Sequence, residues 1–189
     1  IGYRNLGVLA SNGCCRTFDA ISNGTQIREG AAIVILGSDE RTNSCQLVEI
    51  RAMTMNHTGS AKSLTATTES SQHELMKRTV EKAEVDQSDV QVIEAHGTGT
   101  PLGDPIEVRA LWSVYGGASR KTPLVLGSVK TNIGHTEAAA GLAGLIKLVL
   151  CLKHGVIPAH LHFNSVNPHL VDLGEFPAII PTMPMEWRD

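Results

Sequence analysis

The chain has no long run of basic residues, no Gly-Lys pair, no apolar stretch long enough to span a bilayer and no cysteine framework. Each absence removes a class of function. With 16 Lys and Arg against 19 Asp and Glu the net charge is −3. Nothing therefore supplies the clustered cations that nucleic-acid phosphates need. Without Gly-Lys-Ser/Thr there is no P-loop. The most apolar run, 138–152, contains Lys147 and is too short to cross a membrane. Cysteines at 14, 15, 45 and 151 fit neither a disulfide framework nor a zinc site. Adjacent Cys14 and Cys15 are poorly placed to bridge each other. A reducing compartment is indicated, so a cytoplasmic location is expected. No signal peptide is evident.

What is present is ordinary for a soluble domain: 189 residues, 42% of them apolar. The chain opens on Ile1 and ends at Trp187-Arg188-Asp189, which reads as a piece of a longer polypeptide. Residues 29–36 (EGAAIVIL) predict a buried strand, and 46–55 (QLVEIRAMTM), alternating apolar and polar, a half-buried one. The two are expected to form a hairpin. Residues 56–70 read as a loop. Ser71 with Glu74 resembles a capping box, followed by an amphipathic helix through Ala83. Residues 90–95 and 123–129 predict strands. Between them, Asp104 is expected to cap a helix with Pro105 at its first position and Glu107 closing the box. A long helix is expected over 136–154, where tolerance of Gly141 and Gly144 implies close approach to other backbone. The remainder is proline-rich and irregular. The alternation of strand and helix indicates an α/β architecture.

The stretch VIEAHGTGTPLGDPIE, 92–107, superficially suggests a nucleotide loop. Its glycines, Gly97, Gly99 and Gly103, are spaced one residue too far for the dinucleotide pattern, and no acid ends the next strand. A different feature is more telling. Two adjacent strand-to-helix turns each present a histidine, His96 and His135, at the strand ends where α/β proteins build sites. Two imidazoles there suit proton handling or oxyanion binding. His154, His160, His162 and His169 form a second group, with His160 and His162 on one face of a strand. They lack the partners for a metal site, and a solvated tail is the simpler expectation.

EAHGTGTPLGDPIE and GSVKTNIGHTEAAAGLAGLIK resemble the two histidine motifs of β-ketoacyl synthases, in the form found in type I polyketide synthases. FDA…EGAAIVIL, LTATTESSQ and HGVIPAHLHFNSVNPHL resemble further segments of that family. The resemblance implies a thiolase-like layered α-β-α-β-α fold, incomplete: 1–55 the end of the first half, 56–189 most of the second. It implies decarboxylative Claisen condensation of malonyl or methylmalonyl units with an acyl-cysteine thioester. His96 and His135 match the histidines that assist decarboxylation and stabilise the enolate. Lys130 and Glu137 match a supporting pair, and Thr98 and Thr100 match threonines that bind the phosphopantetheine arm. No directly bound cofactor or metal is implied. The implied partners are an acyl carrier protein, an acyltransferase domain in the same or a partner chain, and a second copy of the parent in a homodimer.

The family's nucleophile, a cysteine in an Asp-Thr-Ala-Cys-like turn, has no match here, so this chain alone is expected to be inactive. Residues 24–30 read GTQIREG, with Thr25 and Arg28 where relatives carry an aromatic and a glycine, and Thr58 and Ser63 stand where Asp and Gly are usual. These departures are expected to affect loops away from the histidines. Two other readings stay open: a decarboxylating or chain-length-partner homologue unable to condense, and a vestigial docking module.

Overall fold

The computed structural model describes residues 3, 7–37, 46–58, 68–117, 120–173 and 177–187, with 171–173 by backbone only. Its centre is a parallel three-stranded sheet. The strands β1 (Val92–Glu94), β2 (Leu124–Gly127) and β4 (Ala178–Ile179) lie in the order β1-β2-β4. Val92 pairs with Val125 and Glu94 with Gly127, while Leu124 pairs with Ala178. Parallel neighbours need crossovers, and helices supply them. A short antiparallel pair, β3 (Val156–Ile157) with β5 (Met185–Glu186), closes the tail.

Every residue of β2 is buried, because both faces of the sheet are covered. Alternation sends Leu124 and Leu126 to one face. There they join Val108, Leu111, Val114 and Tyr115 of α2 (Gly103–Tyr115), and Val80 of α1 (Glu69–Ala83). The helices α1 and α2 pack against each other, as their apolar stripes require. On the other face Gly127 approaches α4 (Ala140–His154). The result is a helix–sheet–helix arrangement.

One ion pair holds the second face. Glu94 Oε2 accepts from Lys147 Nζ at 2.7 Å, with both side chains largely buried (7% and 14% exposed). The other carboxylate oxygen accepts from the backbone N–H of Val129. So β1, the end of β2 and α4 meet at one carboxylate. Small residues make the room: a Cβ on Gly144 would sit 3.0 Å from Glu94 Cγ, and one on Gly127 3.1 Å from Lys147 Nζ. Gly144 is thus pressed against a side chain, not backbone, and Gly141 touches nothing within 4 Å.

Several expectations are corrected. Residues 29–36 form no strand, and Ile33 and Ile35 are 88% and 93% exposed. Residues 46–55 carry no ladder either. Instead, Thr54 Oγ1 donates to Leu75 O at 3.3 Å, and Lys82 Nζ donates to Met53 O at 3.2 Å, so this segment lies along α1. A strand is defined by its pairing, and neither segment pairs with an edge of the described sheets. The hairpin loop, 38–45, lies outside the described residues, as does 59–67 of the expected loop. The first helix starts earlier than expected, with Thr68 as N-cap accepting from Ser71 N at 3.3 Å. The long helix opens with a 3₁₀ turn, Glu137–Ala139, before α4 begins. No strand contains His160 or His162.

Removing one partner of a buried ion pair strands the other charge. Lys147→Met is therefore expected to lower unfolding stability by about 3 kcal/mol, read as a reduced urea midpoint. An unchanged midpoint would show that the pair contributes nothing to the fold.

Candidate functional site

The site is built on two turns that leave the carboxyl ends of β1 and β2. The first carries His96 into the glycine loop. Three backbone N–H groups of that loop point inward, and two carboxylates from the first turn of α2 receive them. Glu107 Oε1 accepts from His96 N at 2.7 Å and Oε2 from Gly97 N at 2.9 Å. Asp104 Oδ1 accepts from Gly99 N at 3.1 Å, and its Oδ2 from Phe18 N at 2.8 Å. These acids do not cap the helix, as the box pattern suggested. The first helical turn takes Thr100 instead, whose Oγ1 accepts from Gly103 N at 3.1 Å. The i,i+3 spacing places both acids on one face, tilted toward the helix start and over the loop. The Gly97 carbonyl accepts from Thr17 Oγ1 at 2.5 Å, so this peptide is held at both ends. Gly97 has φ 46°, and a Cβ there would lie 2.5 Å from Thr17 Cγ2, so no larger residue fits.

The second turn runs from β2 through Ser128 into the short helix α3 (Lys130–Ile133) and on to His135. His135 is tied by its backbone: its N–H donates to Gln26 O at 2.7 Å and its carbonyl accepts from Arg28 N at 2.9 Å. Its Nδ1 accepts from Glu137 N at 3.1 Å. In the neutral ring the proton therefore sits on Nε2, which is left to donate. The His96 and His135 rings meet edge to face, centroids 5.5 Å apart at 87°.

Electrostatics keep both rings neutral. Burial, then the Lys130 charge and His135, push His96 down to about 4, although the residue retains solvent exposure. Burial and then Lys130 also lower His135, against Glu137. Lys130 is only 4% exposed, and its own pKa is depressed by that burial, opposed by Glu107 and Glu94. Burial raises Asp104 to about 7 despite the backbone hydrogen bonds from Phe18, Gly99 and Thr100, and raises Glu107. The arrangement is thus a buried cation between carboxylates, with two neutral imidazoles in front.

The structure brings His96, His135 and Lys130 together, but it does not pair Lys130 with Glu137. Glu137 is exposed, has φ 50° and accepts from Tyr3 Oη at 3.1 Å. The acids that act most strongly on Lys130 are Glu107 and Glu94. Thr98 and Thr100 are half-buried, with their hydroxyls 3.4 Å apart and Thr100 engaged in the turn. The departures at Thr25 and Arg28 were expected to lie away from the histidines. They flank the segment that pairs with His135, and Arg28 Cγ packs against Gly134. Among the described residues no group of three or more His, Cys, Asp or Glu could hold a metal. His160 is buried, not part of a solvated tail. Among the described residues no helix is long and apolar enough to cross a membrane. Cys15 is buried, accepting from Gln26 N at 3.2 Å; Cys151 is buried in α4; Cys45 lies outside the described residues. Sequence reasoning assigned Asp104 and Glu107 the wrong task and missed Thr17 and Lys147. Only the shared face of Asp104 and Glu107 signalled their role.

A histidine whose folded pKa lies below the ordinary 6.5 binds fewer protons folded than unfolded. The stability it contributes is complete above pH 6.5 and is lost as pH falls toward about 4. Ring-proton NMR should find His96 neutral at pH 6, with a midpoint near 4. A midpoint at or above 6.5 would contradict a desolvated site.

Residues 47–164 match the family described as "Beta-ketoacyl synthase, C-terminal domain". The chain is 46% identical over 165 residues to erythronolide synthase EryA2 of Saccharopolyspora erythraea, covering 86% of this chain and 5% of that protein. It is 44% identical over 173 residues to a phenolphthiocerol/phthiocerol polyketide synthase of Mycobacterium tuberculosis, covering 89% of this chain and 9% of the relative. Among solved structures it is similar to ketosynthase twelve of the bacillaene polyketide synthase of Bacillus amyloliquefaciens, with a TM-score of 0.86, 32% identity and 96% of this chain covered. It is likewise similar to the oxazolomycin ketosynthase domain OzmH KS7 of Streptomyces albus, with a TM-score of 0.85, 30% identity and 98% covered. The chain spans about a third of those two structures. Its partial, mixed α/β fold is the thiolase-like fold of ketosynthases, and the chain belongs to the β-ketoacyl synthase family, as part of a polyketide synthase ketosynthase domain.

Proposed function

We propose that this chain carries the histidine half-site of a condensing ketosynthase, with 1–55 ending the first half of that domain and 56–189 forming most of the second. The intact enzyme, acting as a homodimer, would join malonyl or methylmalonyl carried on an acyl carrier protein to an acyl group held on a cysteine. The carboxylate leaves as carbon dioxide, its bonding electrons form an enolate, and the enolate carbon attacks the acyl thioester with the cysteine thiolate as leaving group. An acyltransferase domain would load the extender unit.

The observation that carries this reading is the convergence of two neutral imidazoles, 5.5 Å apart, from adjacent strand ends. Each neutral ring can donate one N–H to a developing enolate oxygen, and His135 is oriented to do so through Nε2. Lys130, buried behind them, opposes their protonation, so both remain uncharged donors. Thr98 and Thr100 are assigned to the phosphopantetheine arm, Lys130 and Glu137 to support of the histidines. The nucleophilic cysteine is assigned outside this chain, since none of its four cysteines stands in the Asp-Thr-Ala-Cys-like turn that the resemblance implies, and Cys15 is only 1% exposed with its sulfur accepting from a backbone N–H.

Loss of a single oxyanion donor costs roughly 100- to 1000-fold in rate. His96→Ala or His135→Ala in the intact ketosynthase should slow release of carbon dioxide from malonyl carrier protein by that order. Decarboxylation surviving both changes would sink the proposal. Decarboxylation without ketide formation in the unaltered enzyme would instead favour the homologues unable to condense.

A further inference from the structure

We infer that His160 is a positioning residue for this site: its ring clamps Thr17 and Phe18, which in turn fix the Gly97 peptide beside His96. The inference rests on the function proposed above.

His160 is 5% exposed and sits just beyond β3, with its backbone N–H donating to Pro181 O at 2.7 Å. The ring lies almost parallel to that of Phe18, centroids 5.7 Å apart at 12°, while Phe163 meets it edge-on at 6.1 Å. Its Nε2 lies 3.1 Å from the carbonyl oxygen of Thr17, which can only accept, so Nε2 carries the proton and donates. The buried Nδ1 has no hydrogen-bond partner among the described residues. A second proton there would be a buried charge with no acceptor, and burial accordingly holds this histidine down, to about 4. Lys147 and His162, the charged or titratable groups felt by the ring, act in the same direction. Throughout the neutral range His160 is a fixed single donor.

What it holds is under tension. Phe18 is fully buried with φ 64°, a left-handed conformation that a bulky L-residue adopts only when its surroundings enforce it. Three contacts enforce it: the His160 stack, the donation of Phe18 N to Asp104, and the acceptance of Asn167 N–H by its carbonyl at 2.9 Å. The neighbouring Thr17 then presents Oγ1 to the Gly97 carbonyl and Cγ2 to the space where a Cβ would stand. His160 donates to Thr17 and Thr17 donates to Gly97, whose N–H and that of His96 end on Glu107. Along this path only His96 is placed to reach the reacting atoms. His160 acts through it.

The test uses the intact ketosynthase and malonyl carrier protein, with decarboxylation measured in kcat and KM. His160→Phe keeps an aromatic ring and removes the donor; His160→Gln restores an N–H near the Nε2 position. Because a misplaced reacting group costs rate more than binding, His160→Phe should lower kcat roughly ten-fold with KM within about two-fold, and His160→Gln should return kcat to within about three-fold of the parent. A folded His160→Phe enzyme with parental kcat, a loss confined to KM, or an equal loss in His160→Gln would overturn the inference. If His160→Phe does not fold, Thr17→Val and Thr17→Ser decide: a kcat loss in the first that the second avoids supports the clamp, and parental kcat in the first rejects it. His96→Ala runs alongside. An active His96→Ala enzyme refutes the proposed function itself, whereas an inactive one beside a fully active His160→Phe enzyme refutes only the clamp.

Discussion

Everything near the histidines depends on two carboxylates receiving the backbone of a glycine loop. A loop that turns its N–H groups inward must find acceptors there, because an unpaired buried amide costs as much as a lost hydrogen bond. Asp104 and Glu107 supply four acceptor oxygens from a single helical turn, and all four are used. The cost is two acids taken out of water, which is why both have raised pKa values. Lys130, arriving from the neighbouring turn, places a cation in the same region. The carboxylates steady the loop, while burial and then the Lys130 charge keep the imidazoles neutral. Structure and chemistry share one electrostatic arrangement.

The parts of the fold that were legible in the sequence are those set by local pattern. β1, β2 and the helices α1, α2 and α4 follow from periodicity and turn residues, to within a few positions. The two apolar runs at 29–36 and 46–55 were misjudged because a strand is a relation between segments, and composition does not reveal whether an edge is available. The site was legible in its histidines and in Lys130. It was not legible in the direction of its acids. An acid in the first helical turn suits a cap and suits a loop anchor equally, and the spacing of Asp104 and Glu107 serves both. Glu137, two residues from His135, looked like a partner for Lys130, but its left-handed backbone carries it outward to Tyr3.

Family membership and local geometry speak to different levels. The family match extends over most of the chain and establishes the kind of domain it belongs to. The particular hydrogen bonds say how that kind of chemistry is prepared here. His135 has its tautomer set by the amide of Glu137, and the segment holding His135 in place contains Arg28. Its Cγ packs against Gly134, so Arg28 lies directly beside the second histidine motif.

The exposed apolar stretch from Ile33 to Leu36, with Leu47, Met53 and Met55, has a practical consequence. These segments combine strand-forming side chains with backbone groups that no ladder satisfies. Such surfaces are templates: they pair with whatever extended chain they meet, including another copy of themselves. Handled alone, this polypeptide would be governed by its solubility before its chemistry, and concentration would set how long it stays monomeric.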